Sequence, residues 1–303
     1  MQPKKPDEAQ SQFNALLDNL DIPTSLPPET KLHRLREIPA STLLKHATAT
    51  AYHQYRPTTD GAFVDPSLFD NLHSGVFARQ CRQRGIRFLM GECRDEPVVY
   101  SLWFPPREDS FDILRQRFYA EYPPGAVDTF LEFFLGRGSG SGSHRYENYD
   151  RDAFGSIYAD MQVYLTQRGF IHDLLQDQSQ SQDQSQSQSQ DQDQDQGDSQ
   201  WLYRYRIEHR LNCTPFPPDW GITHGTDLPI WFWGNDADTT LLSAREKQIV
   251  RRAVLDPFAR FLNRQELDWG GSSRRQRVLR LDGEVAVVED GRWDEAGRLW
   301  GLL

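Results

Sequence analysis

The sequence predicts an α/β protein, a mostly parallel sheet flanked by helices, from three observations. Apolar residues recur at helical spacing in several long stretches. Two short segments, one opening at Ile86 with Cys93 at its end and the other Trp201 to His209, read instead as strands. At 303 residues, 37% hydrophobic and 12% aromatic, the chain has material for a sizeable core, as one large domain or two small ones.

Taken in order, Phe13, Leu16, Leu17 and Leu20 fall at i, i+3, i+4 and i+7 and predict an opening helix. Pro27-Pro28-Glu29 starts a short second helix carrying Leu32 and Leu35, and Ser41 is a cap for a third through Leu43, Leu44 and Ala47. Pro57 and Gly61 mark Tyr55 to Asp65 as a loop. One helix is expected from Pro66 to Arg84, closed by Gly85. Next, an apolar run from Ile86 stops at Gly91 in a strand with Cys93 at its end and delivers two adjacent acids, Asp95 and Glu96. Helices follow from Ser110 to Tyr122, over Phe130 to Leu135, and from Tyr149 to Phe170, the last with Phe154, Ile157, Tyr158, Met161 and Leu165 on one stripe. The second strand alternates Trp201-Leu202-Tyr203-Arg204-Tyr205-Arg206-Ile207-Glu208-His209, after which Pro215, Pro217 and Pro218 forbid regular structure. Ser243-Ala244-Arg245-Glu246 is a capping box for a helix that Pro257 should kink. Asp282-Gly283 predicts a hairpin between Val278 and Val288, and Trp293, Leu299 and Trp300 end on a short helix.

Two segments stand outside this pattern. Gly138 to Ser143 alternates glycine and serine and reads as a flexible linker. Residues 177–200 form a Gln/Ser/Asp tract with no apolar side chain to offset the entropy of ordering it, which predicts a disordered surface insertion within a domain spanning 1–303. That tract holds Asp177, Asp183, Asp191, Asp193, Asp195 and Asp198, more than half of the net charge of −10. The remainder is only mildly acidic, which argues against nucleic acid or an anionic membrane as partner. Arg79, Arg82, Arg84 and Arg87 fit the solvated end of a helix and the turn after it. Three cysteines make no disulfide framework, and no apolar segment follows Lys4 and Lys5 as a signal peptide requires. The expectation is cytoplasmic.

The chemistry-bearing stretch is Gly221-Ile222-Thr223-His224-Gly225-Thr226-Asp227-Leu228-Pro229, a histidine in a glycine-flanked loop after the second strand. An acid lies beyond the first strand, at Asp95 or Glu96, where parallel sheets place functional side chains. Acid then histidine, in that order, are the last two members of a Ser, Glu, His triad. Neither His-Glu-x-x-His nor Cys-x-x-Cys occurs and no glycine-rich loop follows a strand, so no metal and no cofactor are expected. Cys93 reads as a packed thiol.

Gly91-Glu92-Cys93-Arg94-Asp95-Glu96, Tyr203-Arg204-Tyr205-Arg206 and His224-Gly225-Thr226-Asp227-Leu228-Pro229 together resemble the type B carboxylesterase/cholinesterase-like family, in its fungal-looking branch. The similarity covers nearly the whole chain but only the family's C-terminal half. It implies an α/β-hydrolase fold with the nucleophile half absent, and it selects Glu96 over Asp95 as the acid partner of the base His224. Asp95, Gly225 and Asp227 become supporting residues, Asp227 a candidate to hold the loop through backbone amides. Phe130, Phe133, Phe134 and Trp231 are pocket candidates, with core packing as their alternative. Ser156 stands where the family usually has aspartate, an exchange of one helix-capping residue for another, and Pro97 replaces a usual glycine. No Gly-x-Ser-x-Gly occurs. The implied function is carboxylic ester hydrolysis on a small-molecule ester, inactive in this chain alone and completed by a separate N-terminal half. The alternative is a noncatalytic remnant acting as a binding module.

Overall fold

The computed structural model describes residues 4–50, 55–136, 146–175, 201–232, 238–269 and 274–302. Both the Gly/Ser linker and the Gln/Ser/Asp tract lie outside them. The elements run α1 (Pro6–Asn19), α2 (Pro28–Glu37), α3 (Ala40–Thr48), α4 (Leu68–His73), α5 (Val76–Gln83), β1 (Phe88–Cys93), α6 (Glu96–Ser101), α7 (Phe111–Tyr119), α8 (Pro124–Leu135), α9 (Phe154–Ala159), α10 (Leu165–Leu175), β2 (Leu202–Ile207), α11 (Leu228–Phe232), α12 (Ala244–Val250), α13 (Asp256–Leu262), β3 (Arg275–Leu279), β4 (Val285–Glu289) and α14 (Trp293–Trp300). The sheet has order β1-β2-β3-β4, the first three strands parallel and β4 antiparallel to β3 across the Asp282-Gly283 turn. This is an α/β fold, a mixed sheet flanked by helices.

Period-2 alternation divides β1 and β2 between two faces. Leu89, Gly91 and Cys93 pair with Tyr203, Tyr205 and Ile207 on one; Phe88, Met90 and Glu92 pair with Leu202, Arg204 and Arg206 on the other. The first face packs with Ile222, Ile230, Val250 and Val254, which ties the loop after β2 to the sheet. Ile230 is fully buried, and a side chain of that kind contributes about 1.5–3 kcal/mol. The second face packs on Ala78, Ile171, Leu174 and Trp293. It also carries a buried ionic cluster. Arg168 of α10 donates to Glu92 and to Asp290, 2.7 Å each, while Arg206 reaches Glu92 at 2.6 Å and Arg204 binds Asp290. Burial raises the Asp290 carboxyl, but the Arg168 and Arg204 guanidiniums more than offset this and hold it at about 2.

β1 ends at Cys93 as read, and at Gly91 the Tyr205 ring lies where a side chain would be, 2.2 Å from an added Cβ. Several expectations are corrected. Pro66 to Arg84 is not one helix: Gly75, at φ +70°, breaks it into α4 and α5, while Gly85 closes α5 as expected. Pro39, not Ser41, precedes α3, and Ser156 sits inside α9 rather than at a cap. Beside Ser156, Gly155 lets α9 approach α6; a Cβ there would meet the Pro97 carbonyl oxygen at 2.7 Å. Ahead of Pro257 the helix opens into a π-turn, Arg251–Leu255, which accommodates the missing proline donor. The Ser243 box forms as read, its hydroxyl accepting from Glu246 N–H.

Candidate active site

Glu96 opens α6, directly beyond the C-terminal end of β1, and His224 lies on the loop beyond the neighbouring parallel strand β2. The structure brings them together: His224 Nδ1 is 3.1 Å from Glu96 Oε2. Glu96 is only 2% exposed, and a buried carboxylate is costly unless its oxygens are satisfied. Its second oxygen, Oε1, accepts from Cys93 N–H at 3.1 Å. Its own N–H donates to the Tyr164 hydroxyl, which in turn donates to the Arg94 carbonyl at 2.7 Å. The acid is therefore fixed from both sides.

A carboxylate only accepts, so Nδ1 carries the hydrogen and the neutral ring keeps its lone pair on Nε2. The His224 side chain is 61% exposed, which leaves Nε2 for an incoming hydroxyl. The hydrogen bond to Glu96 raises the imidazole above its ordinary value, against an opposing contribution from burial. Titrated by NMR, His224 is expected to ionise above 6.5; Glu96→Gln should bring it down to or below that value, since the opposing desolvation remains. An unchanged titration would break the assigned pairing. The pair stabilises the fold fully below the unfolded histidine pKa of about 6.5 and loses that contribution as pH rises through the raised value. Exposure keeps the effect small.

The loop that aims His224 is clamped by Asp95. Its N–H donates to the Ile222 carbonyl at 2.7 Å, and its Oδ2 accepts from Ile222 N–H at 2.9 Å. Arg94 holds the same carboxylate through both Nε and a terminal nitrogen. Burial pushes the Asp95 carboxyl up, but Arg94 and the Ile222 amide hold it below its ordinary range. Asp95 thus holds the backbone of the histidine loop and leaves the imidazole to Glu96. Thr223 is fully buried, its hydroxyl accepting from Val99 N–H at 3.3 Å. Gly221 (φ +63°) and Gly225 (φ +81°) turn the loop. A Cβ on Gly221 would also lie 2.3 Å from Asp95 Oδ2. Gly221→Ala is expected to destabilise the chain by about 1–3 kcal/mol in thermal unfolding, through a strained backbone and a displaced carboxylate. A melting temperature equal to wild type would show the clamp to be dispensable.

With this geometry in place, similarity to known proteins becomes informative. No family model matches the chain. It is 32% identical over 304 aligned positions to a carboxylic ester hydrolase of Gibberella moniliformis, covering 99% of this chain and 52% of that protein. It is 30% identical over 307 positions to an uncharacterized esterase/lipase of Schizosaccharomyces pombe, covering 100% of this chain and 51% of that protein. The chain is similar to two proteins named as esterases. It spans about half the length of the curated relatives it matches.

Asp227 accepts from its own backbone amide, and its Oδ2 also accepts from the Trp231 indole at 3.0 Å, while burial raises its carboxyl. Cys93 is a packed thiol hydrogen-bonded to Asp227 and pushed well up by burial. Of the pocket candidates, Phe130 lines a cavity of about 670 Å³, which neither Glu96 nor His224 lines. Phe134 is buried in the helical core, with Phe133 partly buried against it. Trp231 packs on Tyr205, ring centroids 4.6 Å apart. Trp231 also lines a small separate cavity with Tyr205 and Phe258. Arg82 and Arg87 are engaged internally, by the Leu174 carbonyl and by Tyr203. Sequence reasoning missed Tyr164 and Thr223, which carry no local signal because their partners lie 68 and 124 residues away. Among the described residues no helix is long and apolar enough to cross a membrane.

Proposed function

We propose that this chain is the acid- and histidine-bearing part of a serine-type carboxylic ester hydrolase of the type B carboxylesterase/cholinesterase-like kind. In this reading it is the C-terminal half of an α/β-hydrolase domain. The observation that carries the proposal is the 3.1 Å contact between His224 Nδ1 and buried Glu96 at the ends of adjacent parallel strands. The similarity to two esterase-named proteins twice as long supports it. The serine and the oxyanion donors belong to the other half of that length.

The chemistry runs as follows. His224 Nε2 takes the hydroxyl proton as the serine oxygen bonds to the ester carbonyl carbon, and the imidazolium so formed is stabilised by Glu96. The same proton passes to the leaving alkoxide as the ester C–O bond breaks, giving an alcohol and an acyl-serine. Water then repeats the cycle and releases the acid. Every step uses side chains and backbone donors alone, and the substrate class is a small-molecule carboxylic ester.

The test is co-expression of this chain with the part of the Gibberella moniliformis protein outside the matched span, followed by hydrolysis of p-nitrophenyl acetate. Activity that depends on Glu96 and His224 is expected. A stable assembly with no hydrolysis beyond that of His224→Ala would overturn the proposal and favour a noncatalytic binding module.

A further inference from the structure

His224 is held by more than its carboxylate. The Tyr100 ring lies against the imidazole, centroids 5.7 Å apart, so α6 supplies both contacts, Glu96 from its first turn and Tyr100 from its last. Tyr100 is fixed in its turn. The ring of Tyr158 on α9 meets it edge-on, centroids 5.3 Å apart. Tyr158 is buried, and its hydroxyl donates to Glu121 Oε2 at 2.5 Å. Glu121 is fully buried as well and accepts from Arg117 of α7 on its other oxygen. That guanidinium lies over the Tyr158 ring, 5.6 Å from its centroid. Its Nε donates to the Phe104 carbonyl at 2.6 Å, and its second terminal nitrogen to the Trp103 carbonyl at 3.4 Å. Phe104 has φ +52°, a left-handed conformation that a residue other than glycine keeps only where its surroundings impose it. Arg117 imposes it here, and so pins the chain just beyond the C-terminal end of α6.

A buried ion pair adds little net stability over apolar packing of the same volume. What distinguishes this one is where its hydrogen bonds go. One branch runs through Tyr158 to Tyr100, the other to the two carbonyls after α6, and both end on the helix that holds His224. An imidazole bonded through Nδ1 alone is free to tilt about that bond; a ring packed against it removes the tilt and fixes where Nε2 points. We infer that Arg117, Glu121 and Tyr158 form a brace of positioning residues, which sets the orientation of the His224 imidazole through Tyr100 and the end of α6. For its purpose this rests on the esterase reading, in which the brace aims the base at the serine hydroxyl. Misplacing a reacting group by about 1 Å costs about 10²-fold in rate.

The test is NMR of the full chain alone with labelled histidine, the His224 signals being assigned by their loss in His224→Ala. Tyr100→Leu removes the aromatic neighbour and gives the ring-proton positions of an unbraced imidazole. Tyr158→Phe deletes only the hydroxyl that reaches Glu121. Arg117→Lys keeps a charge for Glu121 but loses the planar fork that spans it and both carbonyls. Each of these two is expected to move the His224 ring-proton signals most of the way to their Tyr100→Leu positions, whereas a merely structural role would lower the melting temperature and leave them in place. In the assembly with the unmatched part of the Gibberella moniliformis protein, Tyr158→Phe should lower kcat for p-nitrophenyl acetate about tenfold with KM unchanged. Signals unmoved by Tyr100→Leu or by either folded brace variant overturn the proposal, as does a kcat equal to wild type; where one variant fails to fold, the other decides. The two readings fail separately. Moved signals without hydrolysis in the wild-type assembly defeat the esterase reading alone; hydrolysis with brace variants that match wild type defeats the brace alone.

Discussion

In the completed hydrolase, His224→Ala is expected to lower kcat for an aryl ester by about 10⁴-fold or more, and Glu96→Gln by about 10⁴-fold. The histidine change removes the group assigned to take and return the proton. Glu96→Gln keeps the shape of the site, but it removes the charge that fixes the Nδ1–H tautomer and stabilises the imidazolium. KM should change little in either variant, because neither side chain is assigned to hold the ground-state ester. Asp95→Asn provides the internal contrast. It keeps an acceptor for the Ile222 amide but weakens the Arg94 clamp, so its effect should be smaller than that of Glu96→Gln. A larger loss for Asp95→Asn would reverse the assignment of the acid.

Arg168→Met is expected to destabilise the chain by about 3 kcal/mol, toward the low end of the 3–5 kcal/mol typical of breaking a buried ion pair. Arg168 bridges Glu92 and Asp290, and all three are buried. The cost stays at the low end because each acid keeps one arginine, Arg206 on Glu92 and Arg204 on Asp290. The same cluster sets the response to acid. Asp290 is depressed to about 2, so its contribution is present above the unfolded value of about 3.9 and is lost as pH falls toward 2. Urea midpoints measured between pH 5 and 2.5 should fall in wild type, and less steeply in Asp290→Asn. An Arg168→Met midpoint equal to wild type would mean that the apolar packing on this face suffices.

How much of this was legible in the sequence depends on the range of the interaction. The strands at β1 and β2, the capping box at Ser243 and the Asp282-Gly283 hairpin are written in neighbouring residues, and the structure has them there. The split at Gly75 was not legible, because it turns on the left-handed backbone, φ +70°, that one glycine adopts within an otherwise helical pattern. For the site, the order of acid and histidine put both residues in loops beyond strands. Spacing alone left Asp95 and Glu96 open; three-dimensional placement gives one the loop backbone and the other the imidazole. The arginines of β2 read locally as the polar face of an alternating strand. Only Glu92 of β1 and Asp290 after β4, bridged by Arg168 of α10, make that face an ionic core.

The most direct measurement of the central claim is labelling by a serine-directed fluorophosphonate, read by mass spectrometry. The account predicts no labelling of this chain alone, since it supplies the base and its acid but no activated nucleophile. It predicts labelling of a serine in the complementing half once the two are assembled, and loss of that labelling in His224→Ala. Labelling of a serine in this chain, or labelling of the assembly that survives His224→Ala undiminished, would contradict it.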